Sequence, residues 1–475
     1  GRARAVVFDA SIAAALGAIF SLSFVHTAQA WWLQFACIGL LAWGVSRVSP
    51  RRAALLGWAF GTAWVAAGTW WLFISMHRYG GLSAPLAALA VAALAGALSL
   101  YLAAAMALYA RLRSGRVVPD ALLFAALWLL AELARGVLFG GFPWVATGYG
   151  QVDAPLSAAA PWVGVYGIGA IVAALSAGLG FATNIHRQLI AGAAVAAIVF
   201  ASPLLLQREF TASAGRLGVS LVQTNVPQNE KFVPRLVPDN LAWLQQTLIN
   251  ARGPLVVAPE TAIPLLPDQL GDEAWQRFAA PFRDSADRAL LTGLPLGDYD
   301  AGYTNSVAGI ARDARVPFYR YDKHHLVPFG EFIPPGFRWF TDLMSIPLGD
   351  FARGPLAQAP FAFGGQAIAP NICYEDLFGE ELAQQWRGSS PPTLLANVSN
   401  IGWFGDTIAI AQHLNISRLR TLEFQVPMVR ATNTGATAAI DHRGAVTAQL
   451  APFTRGVLDA QVEGRRGATP YVRWV

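Results

Sequence analysis

YDKHHLVPFGEF, residues 321–332, carries Lys323, one of only two lysines in a chain with 34 lysines and arginines; the other is Lys231. A lysine kept against so strong an arginine bias points to a need for an amine, because an ammonium can shift its pKa and lose a proton where a guanidinium cannot. Two other segments of the same half stand out, LVVAPETAIP at 255–264 with Glu260 and IAPNICYED at 368–376 with Cys373. In each, an apolar run of strand character meets a turn. A carboxylate, an amine and a thiol at strand ends supply a base, an oxyanion partner and a nucleophile.

Outward from these segments, everything after Gly215 reads as short β-branched runs separated by turns and helical stretches. Expected strands are 217–223, 255–258, 290–294, 305–310, 317–321, 367–372, 393–398, 428–432 and 436–441. Expected helices include 240–251, 272–284 and 407–423. Strand and helix alternate, which predicts one α/β domain.

The first half is of another kind. The chain is 55% hydrophobic and 13% charged, with a mean hydropathy of +0.42, too apolar for a soluble globular protein of 475 residues. The apolar residues are concentrated before about residue 207, in stretches near the ~20 residues that cross a hydrocarbon core. Seven spans are expected: 5–24, 31–46, 53–75, 83–109, 119–137, 161–183 and 188–205. Alternate loops collect arginine, namely Arg2 and Arg4, then Arg47, Arg51 and Arg52, then Arg111, Arg113 and Arg116, then Arg187. By the positive-inside rule the N-terminus is cytoplasmic, and an odd number of spans delivers the α/β half outside. The expected division is a transmembrane domain at 1–207, an extracytoplasmic catalytic domain at 208–464 and a linker at 465–475. The net charge of +5 arises largely from those loop arginines, and no basic stripe with interleaved aromatics accompanies it, so nucleic-acid binding is not indicated.

Cys37 falls within the second expected span, which leaves Cys373 without a partner thiol. In an exported domain an unpaired cysteine stays available for chemistry. Adjacent residues of a strand point to opposite faces, so the neighbouring His324 and His325 are not read as a metal site. Glu132 and Arg135 share one helical face of the fifth expected span and are read as a local ion pair.

The order and flanks of Glu260, Lys323 and Cys373 resemble the nitrilase, or carbon-nitrogen hydrolase, superfamily, whose members use a Glu-Lys-Cys triad. KHHLVPFGEF, ICYED, NVSNIGWFGD and VRATNTGATAAI, with GFPWVATGYGQ in the first half, narrow this to a resemblance to the apolipoprotein N-acyltransferase family, membrane enzymes that N-acylate bacterial lipoproteins. The resemblance covers almost the whole chain. It implies a helical membrane domain joined to a four-layer αββα sandwich, a multi-pass monomer in the bacterial inner membrane with its catalytic domain periplasmic. The implied partners are a phospholipid acyl donor and a diacylglyceryl apolipoprotein acceptor, with neither cofactor nor metal. A membrane-tethered amidase or nitrilase, and a non-catalytic lipid-binding scaffold, are the alternatives.

Carried onto this chain, the resemblance makes Glu260 the base, Lys323 the oxyanion partner and Cys373 the nucleophile. Glu331, Tyr374 and Glu375 are the expected supporting residues. Phe232, Trp339, Trp403 and Trp144 are the expected substrate-binding residues. Phe232 stands where the family often has tryptophan, and Ile401 where aspartate is common. The apolar stretch 332–353 is read as an arm against the outer leaflet that admits the acyl chain. A further C-terminal span is expected beyond the TPY segment at 469–471.

Overall fold

The computed structural model describes residues 2–182, 184–298, 300–312, 318–334, 336 and 351–475. Contacts divide it into two compact units, residues 1–78 with 82–208 and residues 79–81 with 209–475. The arm expected at 332–353 falls mostly outside the described residues, and Trp339 with it.

In the first unit each expected span contains helix. The helices are Arg2–Ser21, Leu33–Val45, Pro50–Gly68, Ala84–Leu98 with Leu100–Leu112, Val117–Val137, Ala160–Gly180 and Ile185–Leu206. Among the described residues four helical runs, 84–112, 117–140, 155–180 and 185–206, are long and apolar enough to cross a membrane, while 9–24 and 33–45 are apolar but shorter. Helices pack closely where side chains are small: a Cβ on Gly17 would stand 2.0 Å from the Phe60 carbonyl oxygen. Aromatic rings fill the space beside them, with Trp64 stacked on Trp128 at 5.7 Å and Phe20 edge-on to Trp64 at 4.9 Å.

The expected pair of Glu132 and Arg135 forms at 3.4 Å, and both side chains are buried. The Thr147 amide and hydroxyl also donate to Glu132, at 2.7 and 2.9 Å, and the Arg135 guanidinium lies 4.6 Å over the Trp64 ring. A buried acid needs this many partners, since an isolated charge away from water is costly.

The second unit is built on two six-stranded mixed sheets. The first contains β1 (Thr211–Gln223), β2 (Leu255–Val257), β3 (Ala289–Asp298), β4 (Gly302–Ile310), β5 (Tyr319–Asp322) and β12 (Gly456–Gly467), in the order β12-β1-β2-β3-β4-β5. The second contains β6 (Phe361–Phe363), β7 (Gln366–Ile372), β8 (Leu394–Ser399), β9 (Met428–Thr432), β10 (Ala438–Ile440) and β11 (Val446–Gln449), in the order β11-β10-β9-β8-β7-β6. Each has a parallel centre, β1-β2-β3 and β7-β8-β9, flanked by antiparallel strands.

One core joins the sheets face to face, with Val219, Leu221, Val257 and Leu291 against Ile368, Ile372, Ala396 and Val429. The outer face of the first sheet buries Leu244, Leu248, Phe278 and Phe282 from helices Val237–Asn250 and Asp272–Arg283. The outer face of the second is covered by Trp386, Phe424 and Tyr471. Four layers result, as the αββα expectation has it. Strands at the parallel centre are covered on both faces, which explains why they read as apolar runs without alternation.

All nine expected strands are present. Among the described residues the three others, β6, β11 and β12, are short or half-exposed, and β12 (GVLDAQVEGRRG) is too polar to read as a strand until its antiparallel pairing with β1 is seen. Residues 465–475, expected as a linker, hold the end of β12 and a short helix, Pro470–Trp474, whose Tyr471 and Val472 are buried.

Candidate active site

Strand ends assemble the site. Parallel β7 and β8 end at Ile372 and Ser399, immediately before Cys373 and Asn400. In the first sheet β2 ends at Val257, three residues before Glu260. Two antiparallel steps separate β5 from β3, so β5 runs in the direction of β2 and β3 and delivers Lys323 to the same edge as Glu260. This is the carboxyl edge, where sites of α/β sheets gather.

Glu260 is buried and each of its oxygens has a partner. Oε1 accepts from Asn305 Nδ2 at 2.7 Å and lies 3.5 Å from Lys323 Nζ, while Oε2 accepts from the Asn400 amide at 2.8 Å. The turn carrying it passes through Thr261 in the left-handed region, φ +49°. It also presses on Gly293 of β3, where a Cβ would stand 2.7 Å from the Glu260 Cα.

Lys323 is 1% exposed. Its ammonium donates to Glu331 Oε1 at 2.9 Å, and Asn305 Nδ2 donates to the same oxygen at 2.8 Å. Glu331 Oε2 accepts from the Val327 amide at 2.8 Å, which closes the turn between lysine and glutamate. Burial alone would lower the Lys323 pKa, but Glu331, Glu260 and Cys373 outweigh it and hold the amine well above its usual range. It is therefore a permanent cation, suited to stabilising an anion rather than exchanging protons.

Cys373 follows β7 in the left-handed conformation, φ +50°, on a sharp strand-to-turn elbow that aims a side chain outward from the sheet end. Burial pushes its thiol pKa well up and the Glu260 charge pushes it further; Lys323 and the Asn400 amide pull the other way. A thiol so placed stays protonated until a base removes its proton, and a neighbouring carboxylate raises the pKa of the one while able to act as the other.

Tyr374 and Glu375 are buried behind the elbow. Glu375 accepts from the amides of His324 and Ile372, both at 2.7 Å, and from the Tyr321 hydroxyl at 2.9 Å, so it ties the lysine strand to the cysteine strand. Tyr374 packs its ring on Phe378 at 5.2 Å. The adjacent histidines diverge, His324 to the Gly354 carbonyl at 2.8 Å and His325 to Glu381 at 3.0 Å. Phe232 and Trp403 are 56% and 40% exposed, which suits apolar contact with a substrate. Trp144 belongs to the helical unit, buried and 4.8 Å from Trp71.

Several residues at the site escaped the sequence reading. Asn305 bridges two acids from the middle of β4, where nothing marked it. Asp376, His413, Ser417 and Arg430 form a fully buried cluster beneath the elbow: His413 Nε2 lies 3.0 Å from Asp376 and 3.2 Å from the Cys373 carbonyl oxygen, and Arg430 lies 3.2 Å from Asp376. Only the hydrophilic run in helix Ala409–Phe424, unusual for a covered helix, could have signalled it.

Two facing mixed sheets with a glutamate, a lysine and a cysteine gathered at strand ends define a carbon-nitrogen hydrolase domain, and the family pattern described as Carbon-nitrogen hydrolase matches residues 234–471. The pattern described as Apolipoprotein N-acyltransferase N-terminal domain matches residues 16–178. The chain belongs to the apolipoprotein N-acyltransferase family. The apolipoprotein N-acyltransferase of Verminephrobacter eiseniae is 52% identical over 479 residues, covering 94% of this chain and 88% of that protein. Those of Ralstonia nicotianae and Bordetella bronchiseptica are 45% and 41% identical, each covering 98% of this chain and 90% and 93% of theirs.

Proposed function

We propose that this enzyme N-acylates lipoproteins by a ping-pong reaction on Cys373. In the first half-reaction Glu260 takes the thiol proton and sulfur attacks an ester carbonyl of a phospholipid. The S–C bond forms, the ester C–O bond breaks, and the proton passes from Glu260 to the departing lysophospholipid oxygen. In the second, the neutral α-amine of a diacylglyceryl-cysteine N-terminus attacks the thioester; the N–C bond forms, the C–S bond breaks, and Glu260 carries the amine proton to the leaving sulfur. Lys323 stabilises the tetrahedral oxyanion in both, and Glu331 keeps the ammonium in place.

The observation that carries this reading is the pairing of Glu260 with Lys323, itself held by Glu331, beside a half-buried thiol at the strand ends, in a chain whose first half holds helices able to cross a membrane. Both substrates are lipid-anchored, which gives the apolar helices a purpose. The loop arginines support a periplasmic catalytic domain and a bacterial inner-membrane location. The reading takes residues 1–207 as the membrane domain, and the enzyme as a monomer.

Intact mass after incubation with phospholipid tests it. One acyl adduct on Cys373, discharged by a diacylglyceryl peptide amine, is expected. Release of free fatty acid with no adduct and no transfer overturns it.

A further inference from the structure

Lys231, the second of the chain's two lysines, has no part in the reaction above, yet it reaches the same residue, Glu260, as the first. Lys323 Nζ lies 3.5 Å from Glu260 Oε1, and Lys231 Nζ donates to the Glu260 backbone carbonyl at 3.0 Å. The loop that carries it is tied to the site a second time. Asn400, whose amide holds Glu260 Oε2, also donates through its side chain to Gln228 at 2.8 Å, and the Lys231 amide donates to the Pro227 carbonyl at 3.1 Å.

Lys231 is 5% exposed, and among the described residues no carboxylate comes within ion-pair distance of it. The ionisable groups that act on it are Glu260, from the turn after β2, and Cys373, from the elbow after β7. Lys323 and Glu331 stand one contact further, across Glu260 and Asn305. Burial drives the ammonium down to about 8 against the pull of Glu260 and Cys373. An arginine would remain charged throughout and could not occupy so compact a place.

We propose that Lys231 is a second positioning cation of the acyl-transfer site, fixing the Glu260 backbone and lending positive charge to Cys373 while the thiol is acylated. The inference rests on the acyl-transfer reading. A carboxylate beside a half-buried thiol opposes thiolate formation, and one permanent cation offsets it only in part. A charged Lys231 adds positive charge at neutral pH and withdraws it as the amine loses its proton. The rate of acyl-enzyme formation should then break downward above about pH 8.

Lys231→Gln keeps a donor for the Glu260 carbonyl and removes the charge. With phosphatidylethanolamine vesicles and single-turnover mass spectrometry, its acylation rate at pH 7 should fall by about tenfold, one pKa unit of the thiol, and the break should vanish. Wild type forming an adduct that Cys373→Ala does not form establishes the parent reading; absence of adduct in wild type defeats that reading itself. A Lys231→Gln profile that superimposes on wild type, or that falls in rate but keeps the break, overturns the role of Lys231 alone. Should this variant not fold, iodoacetamide alkylation of Cys373 in a Cys37→Ala background decides the matter without it. A break near pH 8 upholds the inference, and a simple rise with pH overturns it.

Discussion

The cluster of Glu260, Lys323 and Glu331 and the cluster of Asp376, His413 and Arg430 both adjoin Cys373, and they differ in how they hold their charge. In the first, two carboxylates share the Lys323 ammonium at 3.5 and 2.9 Å, with Asn305 donating to both. Among these three, anion exceeds cation, at the carboxyl edge of the sheet beside a thiol. In the second, Asp376 alone faces Arg430 and His413, and every member is fully buried. Excess negative charge near a thiol is a place for its proton to go. A closed, balanced network is a mount for the elbow that carries it. Removing members of the first should therefore cost rate, and removing members of the second should cost stability.

The largest effect should come from the atom the clusters share. Cys373→Ala should abolish acyl-adduct formation by intact mass while thermal unfolding in detergent stays close to wild type. An adduct on that variant would show that neither cluster serves this thiol. Lys323→Arg keeps the charge but not its shape, and a guanidinium cannot take the place of a compact ammonium between two carboxylates. The adduct should form about 10²–10³-fold more slowly, the loss typical of one oxyanion donor. A rate within threefold of wild type, on the order of ordinary scatter between variants, would mean that only charge matters in the first cluster.

Gly293→Ala comes next and touches no charged group. A Cβ there would stand 2.7 Å from the Glu260 Cα and 2.5 Å from the Pro259 carbonyl oxygen, so the turn must move. Misplacing a catalytic group by about 1 Å costs around 10²-fold. Single-turnover acylation should fall by that order with the fold retained; an unchanged rate would mean that the position of Glu260 is not demanding.

The two clusters also differ in how far the sequence disclosed them. Glu260, Lys323, Glu331 and Cys373 lie where apolar strands break into turns, and local spacing with motif flanks suffices to mark them. The sheets were legible for the same reason: strands at the parallel centre are short apolar runs. Asp376, His413 and Arg430 sit on three separate elements, the elbow, a helix and β9, and although Asp376 and Arg430 fall inside quoted motifs, nothing in the sequence joins the three. Only the fold brings them together. Lys231 is the intermediate case, conspicuous by its rarity in the chain but without a role until its ammonium is found on the Glu260 carbonyl. Likewise β12, polar and half-exposed, is a strand because β1 needs a partner.

The smallest effect on rate, and the most telling for the comparison, is expected of Asp376→Asn. Burial alone would raise the Asp376 pKa, but His413 and Arg430 more than offset it and hold the carboxyl below its usual range. A depressed folded pKa contributes stability that is complete above the unfolded value of about 3.9 and is lost as pH falls through the folded one. The amide leaves Arg430 buried without its counter-charge, a change that costs on the order of 3–5 kcal/mol. Unfolding in detergent should therefore occur at clearly lower temperature in the variant at neutral pH, with the gap narrowing only below about pH 4. Asp376 also raises the Cys373 pKa, so the folded variant should acylate at least as fast as wild type. Measured on the folded fraction, a large drop in acylation with no loss of stability would reverse the roles assigned to the two clusters.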